Sequence, residues 1–371
     1  MLFACTGMVP GSFGLFAASE CVAQILAKSE KEETRRRSLD IIDRVFDSHC
    51  HVVAQGGGTD GRGAAYEAAP MAWQALRNVG IMATGPDDWE LCTSIWKTHN
   101  FNAAVSGTLE HVHVGFGLHP YEVDSYVQRH ESEEHGNHGT STSEGHGDSV
   151  SSALYAQLNR CLEDCPDAVV GEFGLDKSIL KKLKRQQRRD REVLTNMWDR
   201  QVRCFETQMR LACDQGRPVV LHMVHAYGFF ERYLMKLCAE AQLPKKILLH
   251  SYSGSAQLVR RLSGLCEAND VELYFGFSYS VNVRPSAKGG VYSERVFDVI
   301  DAVPDNRLLI ESDGHLGKEA ENASVRENLI DIIHVVSSVK EWDIEHTIKT
   351  TAQNGERFYA VGRKGNVKFP V

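Results

Sequence analysis

The feature that most constrains this chain is an alternation of eight short apolar runs with longer amphipathic stretches. The runs are Ile42–Phe46, Val79–Thr84, His113–Leu118, Ala168–Glu172, Pro218–Leu221, Lys246–Leu249, Glu272–Gly276 and Arg307–Ile310. Between them, stretches such as Asp87–His99, Ala153–Cys165, Met197–Gln215, Gly228–Ala241 and Ala256–Leu265 have the spacing of helices. Strand followed by helix, repeated, predicts a parallel sheet, and eight repeats predict closure into an α/β (β/α)₈ TIM barrel with surface insertions. A chain of 371 residues with 42% hydrophobic and 24% charged residues can bury such a core.

Several runs end in a residue able to bind a metal. The first is followed by His49 and His51, two apart, which at a period of two point the same way. The fourth ends at Glu172, the fifth is followed by His222, the sixth by His250, and Asp313 lies just beyond the eighth. In a barrel of this kind the C-terminal ends of the strands carry the chemistry. One histidine at a strand end usually packs structurally, but four with two carboxylates at one barrel mouth point to a metal centre. Six mixed nitrogen and oxygen donors exceed what one four-coordinate ion needs. The expectation is two divalent ions sharing a bridging carboxylate, with zinc, magnesium or manganese all compatible, an arrangement suited to phosphate-ester hydrolysis.

The motifs resemble those of the TatD-type deoxyribonucleases, within the amidohydrolase superfamily. FDSHCH resembles the family's D-x-H-x-H element, GFGLHPYE its G-x-H-P element, and VVGEFGLD its G-E-x-G-L-D element. PVVLH and ILLHSYSGS resemble its two histidine strands, LLIESD its E-T-D element, and NGERFY its C-terminal N-x-x-R-F helix. The resemblance implies that His49, His51, Glu172 and Asp313 bind one ion, and that Glu172 bridges to a second held by His222 and His250. It implies Glu172 and Asp313 as catalytic carboxylates, Asp313 taking the proton of the attacking water. His119 would line the substrate pocket. Where the family often has Ser-Arg-Asp after the fifth-strand histidine, this chain has Met223, Val224 and His225, so His225 becomes a candidate substrate contact. Gly314 and His315 replace the Ala-Pro that often follows the E-T-D element, and both changes resemble a divergent eukaryotic branch.

The remaining segments set boundaries. Residues 1–40 read as an N-terminal extension and 41–371 as the hydrolase barrel, with insertions at about 55–67, 129–152 and 177–196. The 129–152 stretch, with His130, His135, His138 and His146, reads as a solvated loop that could catch metal only loosely. The basic run Lys177–Arg191 reads as a solvated helical face or a contact to a phosphate backbone. A net charge of -8 excludes a general basic coat, so affinity for DNA has to come from the site itself. Ten cysteines without a C-x-x-C pair, and no secretory signal, predict a reducing compartment, cytoplasmic or nuclear. No stretch is apolar for long enough to span a membrane. The leading expectation is a metal-dependent deoxyribonuclease, an exonuclease acting on DNA ends. A small-molecule hydrolase of the same superfamily and a non-enzymatic metal-binding scaffold are the alternatives, and oligomeric state is not legible.

Overall fold

The computed structural model describes residues 44–52, 78–106, 111–135, 143–182, 190–283, 294–316 and 319–361. The N-terminal extension, the glycine-rich insertion at 55–67 and residues 183–189 of the Lys177–Arg191 run lie outside the described residues.

The strands are β1 (Phe46–Val52), β2 (Asn78–Met82), β3 (His111–Phe116), β4 (Val169–Asp176), β5 (Val219–Val224), β6 (Lys246–Leu249), β7 (Glu272–Ser278) and β8 (Leu308–Glu311). All pair in parallel with their sequence neighbours. A two-residue strand, β9 (His315–Leu316), follows β8 and pairs in parallel with β1, so the sheet runs β8-β7-β6-β5-β4-β3-β2-β1-β9. Because β9 is the direct continuation of β8, this pairing joins the two edges of the sheet. The seam is sewn by Ser48 Oγ donating to Ile310 O (2.9 Å), Asp313 N to His49 O (3.0 Å) and His51 N to Gly314 O (2.8 Å). The predicted α/β barrel is therefore the observed fold, with one short strand more than the apolar runs announced.

The surrounding helices are α1 (Pro86–Ser106), α2 (Val123–His135), α3 (Ser143–Asp164), a single turn α4 (Ile179–Lys182), α5 (Arg191–Gln215), α6 (Tyr227–Glu240), α7 (Ala256–Glu267), α8 (Glu294–Ala302), α9 (Glu319–Lys340) and α10 (Ile344–Tyr359). Among the described residues, no helix is long and apolar enough to cross a membrane. The segment expected as a loop at 129–152 is helical at both ends, in α2 and α3, which bury Val123, Tyr126 and Val127 and Val150, Leu154 and Leu158. Likewise the expected insertion at 177–196 gives way to α5 at Arg191. Asp190 caps that helix, accepting from the backbone of Glu192 and Val193, a start signal hidden by the basic run before it. Replacing Asp190 with Ala is expected to cost about 1 kcal/mol, read as a lower denaturant midpoint at unchanged slope.

Two apolar layers hold the barrel. The larger lies between strands and helices. The smaller fills the interior with Phe46, Met82, Val169, Val220, Leu248, Tyr274 and Leu309, capped by Phe358 and Tyr359 from α10. Phe46, Val169, Tyr274 and Leu309 lie early in their strands, so α10 plugs the N-terminal end. Tyr359 stacks on Phe46 at 5.5 Å and donates its hydroxyl to Ser48 O at 2.6 Å. Asn354 donates to Asp305 O and Leu308 O, at 2.8 and 2.9 Å. The NGERFY motif is thus the stopper of the barrel, and polar side chains are left to line the opposite, C-terminal end.

Candidate metal centre

The strands bring the predicted donors together through two irregularities that no apolar pattern reveals. From Asp47 to Cys50 β1 takes three steps while its partner β2 takes two, from Val79 to Ile81. This bulge resets the alternation of side chains. Phe46 before it faces the barrel interior, and His49 and His51 after it do too, while Cys50 packs outward. A second irregularity sits in β4, where Val170 to Phe173 is matched against Val219 to Leu221. It leaves Val169 in the interior, Phe173 outside, and Glu172 turned into the centre. Gly174 then lets β4 and β5 approach closely, since a Cβ there would collide with the backbone carbonyl of His222.

Expectation and structure differ here in one respect. The first and fourth strands were predicted to stop at Phe46 and Glu172, but the structure has β1 over Phe46–Val52 and β4 over Val169–Asp176. His49, His51 and Glu172 are therefore within strands. The apolar runs break off early because the barrel interior is itself polar at this level.

Glu172 is the hub. It is 2% exposed, and its Oε1 lies 2.6 Å from His250 Nε2, 2.8 Å from His222 Nδ1 and 3.4 Å from His119 Nε2. Its Oε2 lies 3.3 Å from His49 Nε2 and 3.4 Å from His51 Nε2. Asp313 approaches from the far side, with Oδ1 3.8 Å from His49 Nε2 and 3.6 Å from His51 Nε2. Asp313 adopts a left-handed backbone, φ 48°, just past β8. Burial works against the Glu172 charge, but His250, His119 and His49 override it and hold the carboxyl well below its ordinary range. The carboxylates act in return: despite burial, His51 is pushed up to about 9 by Asp313 and Glu172, and His250 is raised by Glu172.

The fit to metal ions rests on donor chemistry. His49 Nε2 and His51 Nε2 face each other at 3.2 Å, as do His222 Nδ1 and His250 Nε2. Two imidazole nitrogens aimed at one point need a proton or a cation between them. Three overlapping groups have donor atoms within 4.8 Å of one another: His49, His51 and Glu172; His49, His250 and Asp313; and His119, Glu172 and His222. The outer ring nitrogens assign the tautomers. His51 Nδ1 meets the carbonyl of Met82 at 3.0 Å, so it carries the proton and Nε2 offers a lone pair inward. His222 Nε2 and His250 Nδ1 each face a buried carboxylate at 3.5 Å, Asp176 and Glu311, whose charge favours the proton on that outer nitrogen. His119 is reversed. Its Nδ1 accepts from the backbone N–H of Tyr121 at 3.1 Å, so its Nε2 carries the proton and is a donor, although distance alone would group it with the ligands.

Asp47, Asp176 and Glu311 were not singled out from sequence, although each stands inside a quoted motif. All three are fully buried. Asp47 Oδ1 accepts from Ser312 N (2.9 Å) and His49 N (3.2 Å), and Oδ2 accepts from Ser312 Oγ (2.6 Å), tying β1 to the end of β8. Glu311 accepts from Ser251 N and Oγ, at 2.6 and 2.9 Å, fixing the turn after His250.

The centre opens into a cavity of about 460 Å³ lined by His51, His119, Glu172, His222, His250 and Asp313 together with Thr84, Tyr121, Glu122, Met223, Val224, Ser251, Ser253, Val281 and His315. His225 is exposed, with φ 54°, and does not line this cavity, whereas Met223 and Val224 do. A larger groove of about 730 Å³ lies outside the barrel, between α5 and α6, and none of the candidate site residues reaches it.

A closed parallel barrel with histidines and carboxylates converging at its C-terminal mouth defines a protein of the metal-dependent hydrolase class. The sequence pattern of the TatD related DNase family matches residues 46–360, and the chain belongs to that family. It is 25% identical to the Cut9-interacting protein scn1 of Schizosaccharomyces pombe, over 86% of this chain and all of that protein. It is 24% identical to the 3'-5' ssDNA/RNA exonuclease TatD of Musicola paradisiaca, over 44% of this chain and 60% of that protein. In fold it is similar to the TatD homolog YJJV of Escherichia coli, with a TM-score of 0.54 and 19% identity over 86% of this chain and 100% of the other. An amidohydrolase of Saccharomyces cerevisiae matches with a TM-score of 0.55 and 16% identity, over 85% and 99% of the two chains.

Proposed function

We propose that the protein is a metal-dependent deoxyribonuclease that hydrolyses phosphodiester bonds at DNA ends. The observation that carries this reading is the convergence of His49, His51, His222, His250, Glu172 and Asp313, in a chain of the TatD family. His49, His51, Glu172 and Asp313 would hold one divalent ion, and Glu172, His222 and His250 a second, whether zinc, magnesium or manganese. Bound there, such ions lower the pKa of water and neutralise charge on the attacked and leaving oxygens.

The chain's own residues supply the rest. Asp313 accepts the proton of the attacking water on a carboxylate held ionised, against burial, by His51, His250 and His49. Ser251 Oγ lies 3.2 Å from Asp313 Oδ2, the longer of its two carboxylate contacts after Glu311. His119 presents its Nε2 proton to a non-bridging phosphate oxygen. His225, at the exposed end of β5, would meet substrate only outside the cavity. Residues 41–371 would form the hydrolase unit and 1–40 an extension, in a protein of the cytoplasm or nucleus.

A second reading, a hydrolase of small phosphoesters or amides, is favoured by one observation: among the described residues, no lysine or arginine lines the cavity. Cleavage of end-labelled DNA with manganese, magnesium, zinc or chelator, beside Asp313→Ala, separates the two. Progressive shortening from one end that needs metal and is lost in the variant supports the nuclease. Turnover of small esters with intact DNA supports the second reading.

A further inference from the structure

Among the described residues, the large apolar side chains exposed on the surface are Tyr121, Met235 and Val281. Tyr121 and Val281 stand on the rim of the cavity over the metal centre. They come from different parts of the barrel, Tyr121 from the loop after β3 and Val281 from a turn of π-helix, Tyr279–Val283, after β7. Exposed apolar groups gathered at a polar cleft mark a place where something apolar binds. The Tyr121 ring meets that of His119 at 81° with centroids 4.6 Å apart, and it stays 49% exposed, so ring surface is left for a ligand. Met223 and Val224 extend the apolar wall on the β5 side.

The charges narrow the ligand further. Glu122 shares the rim, and no lysine or arginine does among the described residues. A second phosphate beside Glu122 would be repelled, while one phosphate on the histidine–carboxylate centre is accommodated. The volume of about 460 Å³ suits one nucleotide rather than a run of strand.

We propose that this cavity takes the terminal nucleotide of a strand, its base stacked on Tyr121 and against Val281 while its phosphodiester reaches the metal centre. This rests on the nuclease reading and adds to it the part of the substrate that the apolar rim recognises. Stacking accepts every base, so the preference is for the presence of a base and not for its identity.

The test compares two end-labelled single strands of one sequence, one natural and one with tetrahydrofuran abasic nucleotides at both ends. Each is cleaved in manganese by the wild-type protein, Tyr121→Ala and Tyr121→Trp. The wild type is expected to prefer the natural strand in kcat/KM. Tyr121→Ala should shrink that preference roughly 5- to 150-fold, the range for loss of one stacked base, and Tyr121→Trp should restore it. A 2-aminopurine nucleotide should lose fluorescence on binding the wild type and much less on binding Tyr121→Ala, which reads stacking without turnover. Equal loss on both strands in Tyr121→Ala, or no change in the preference, overturns the proposal and leaves the nuclease reading standing. Intact natural strands with the wild type overturn both.

Discussion

Glu172→Gln is expected to abolish metal uptake and lower kcat/KM on DNA by more than the roughly 10–100-fold typical of an outer partner of a metal site. The substitution keeps shape and removes the charge on which five imidazoles converge, at 2.6 to 3.4 Å. Without it neither half of the centre keeps its shared anion, and the converging imidazoles have nothing between them to balance a second cation. Protein stripped with chelator and dialysed against manganese should regain ions as wild type and fail to do so as Glu172→Gln, at unchanged helix content by circular dichroism. Uptake preserved in the variant would remove Glu172 from the bridge.

Asp47→Ala is expected to be the most destabilising single change at the site, by about 3 kcal/mol or more, because it strands three buried donors at about 1–3 kcal/mol each. Those donors are Ser312 N, Ser312 Oγ and His49 N. It should also cost activity of the order of 100-fold, since Ser312 fixes the turn that aims Asp313, and small misplacements at a reacting centre are expensive. Asp47→Asn should be much milder. Burial already pushes the Asp47 carboxyl up to about 7, against the pull of its Ser312 contacts, so a neutral group is tolerated there. The amide keeps one acceptor, and the Ser312 hydroxyl can turn to meet its N–H. Denaturant midpoints and DNA cleavage on the same three proteins decide the matter; equal stability of Ala and wild type would show that the seam between β1 and β8 does not depend on Asp47.

Much of the barrel was legible because parallel strands covered on both faces are written as near-continuous apolar runs. β2, β3, β6, β7 and β8 lie within about two residues of the predicted runs. The poorer boundaries are those of β1, β4 and β5, where polar residues of the candidate centre sit inside the strand and break the apolar pattern. The residues that converge on the centre were readable from their place after those runs, although the bulges that aim His49, His51 and Glu172 were not. A bulge is a mismatch between two strands, and a single sequence records only one at a time. The donor role of His119 depends on the backbone N–H of Tyr121, which carries no residue signature at all. The apolar rim was equally hidden, since Tyr121 and Val281 are far apart in sequence and line one cavity only in the fold.

Calorimetric titration of manganese into chelator-stripped protein tests the paired-ion centre on Glu172 most directly. Two equivalents per chain are expected in the wild type, bound with release of protons from the imidazoles. One equivalent or none would contradict it.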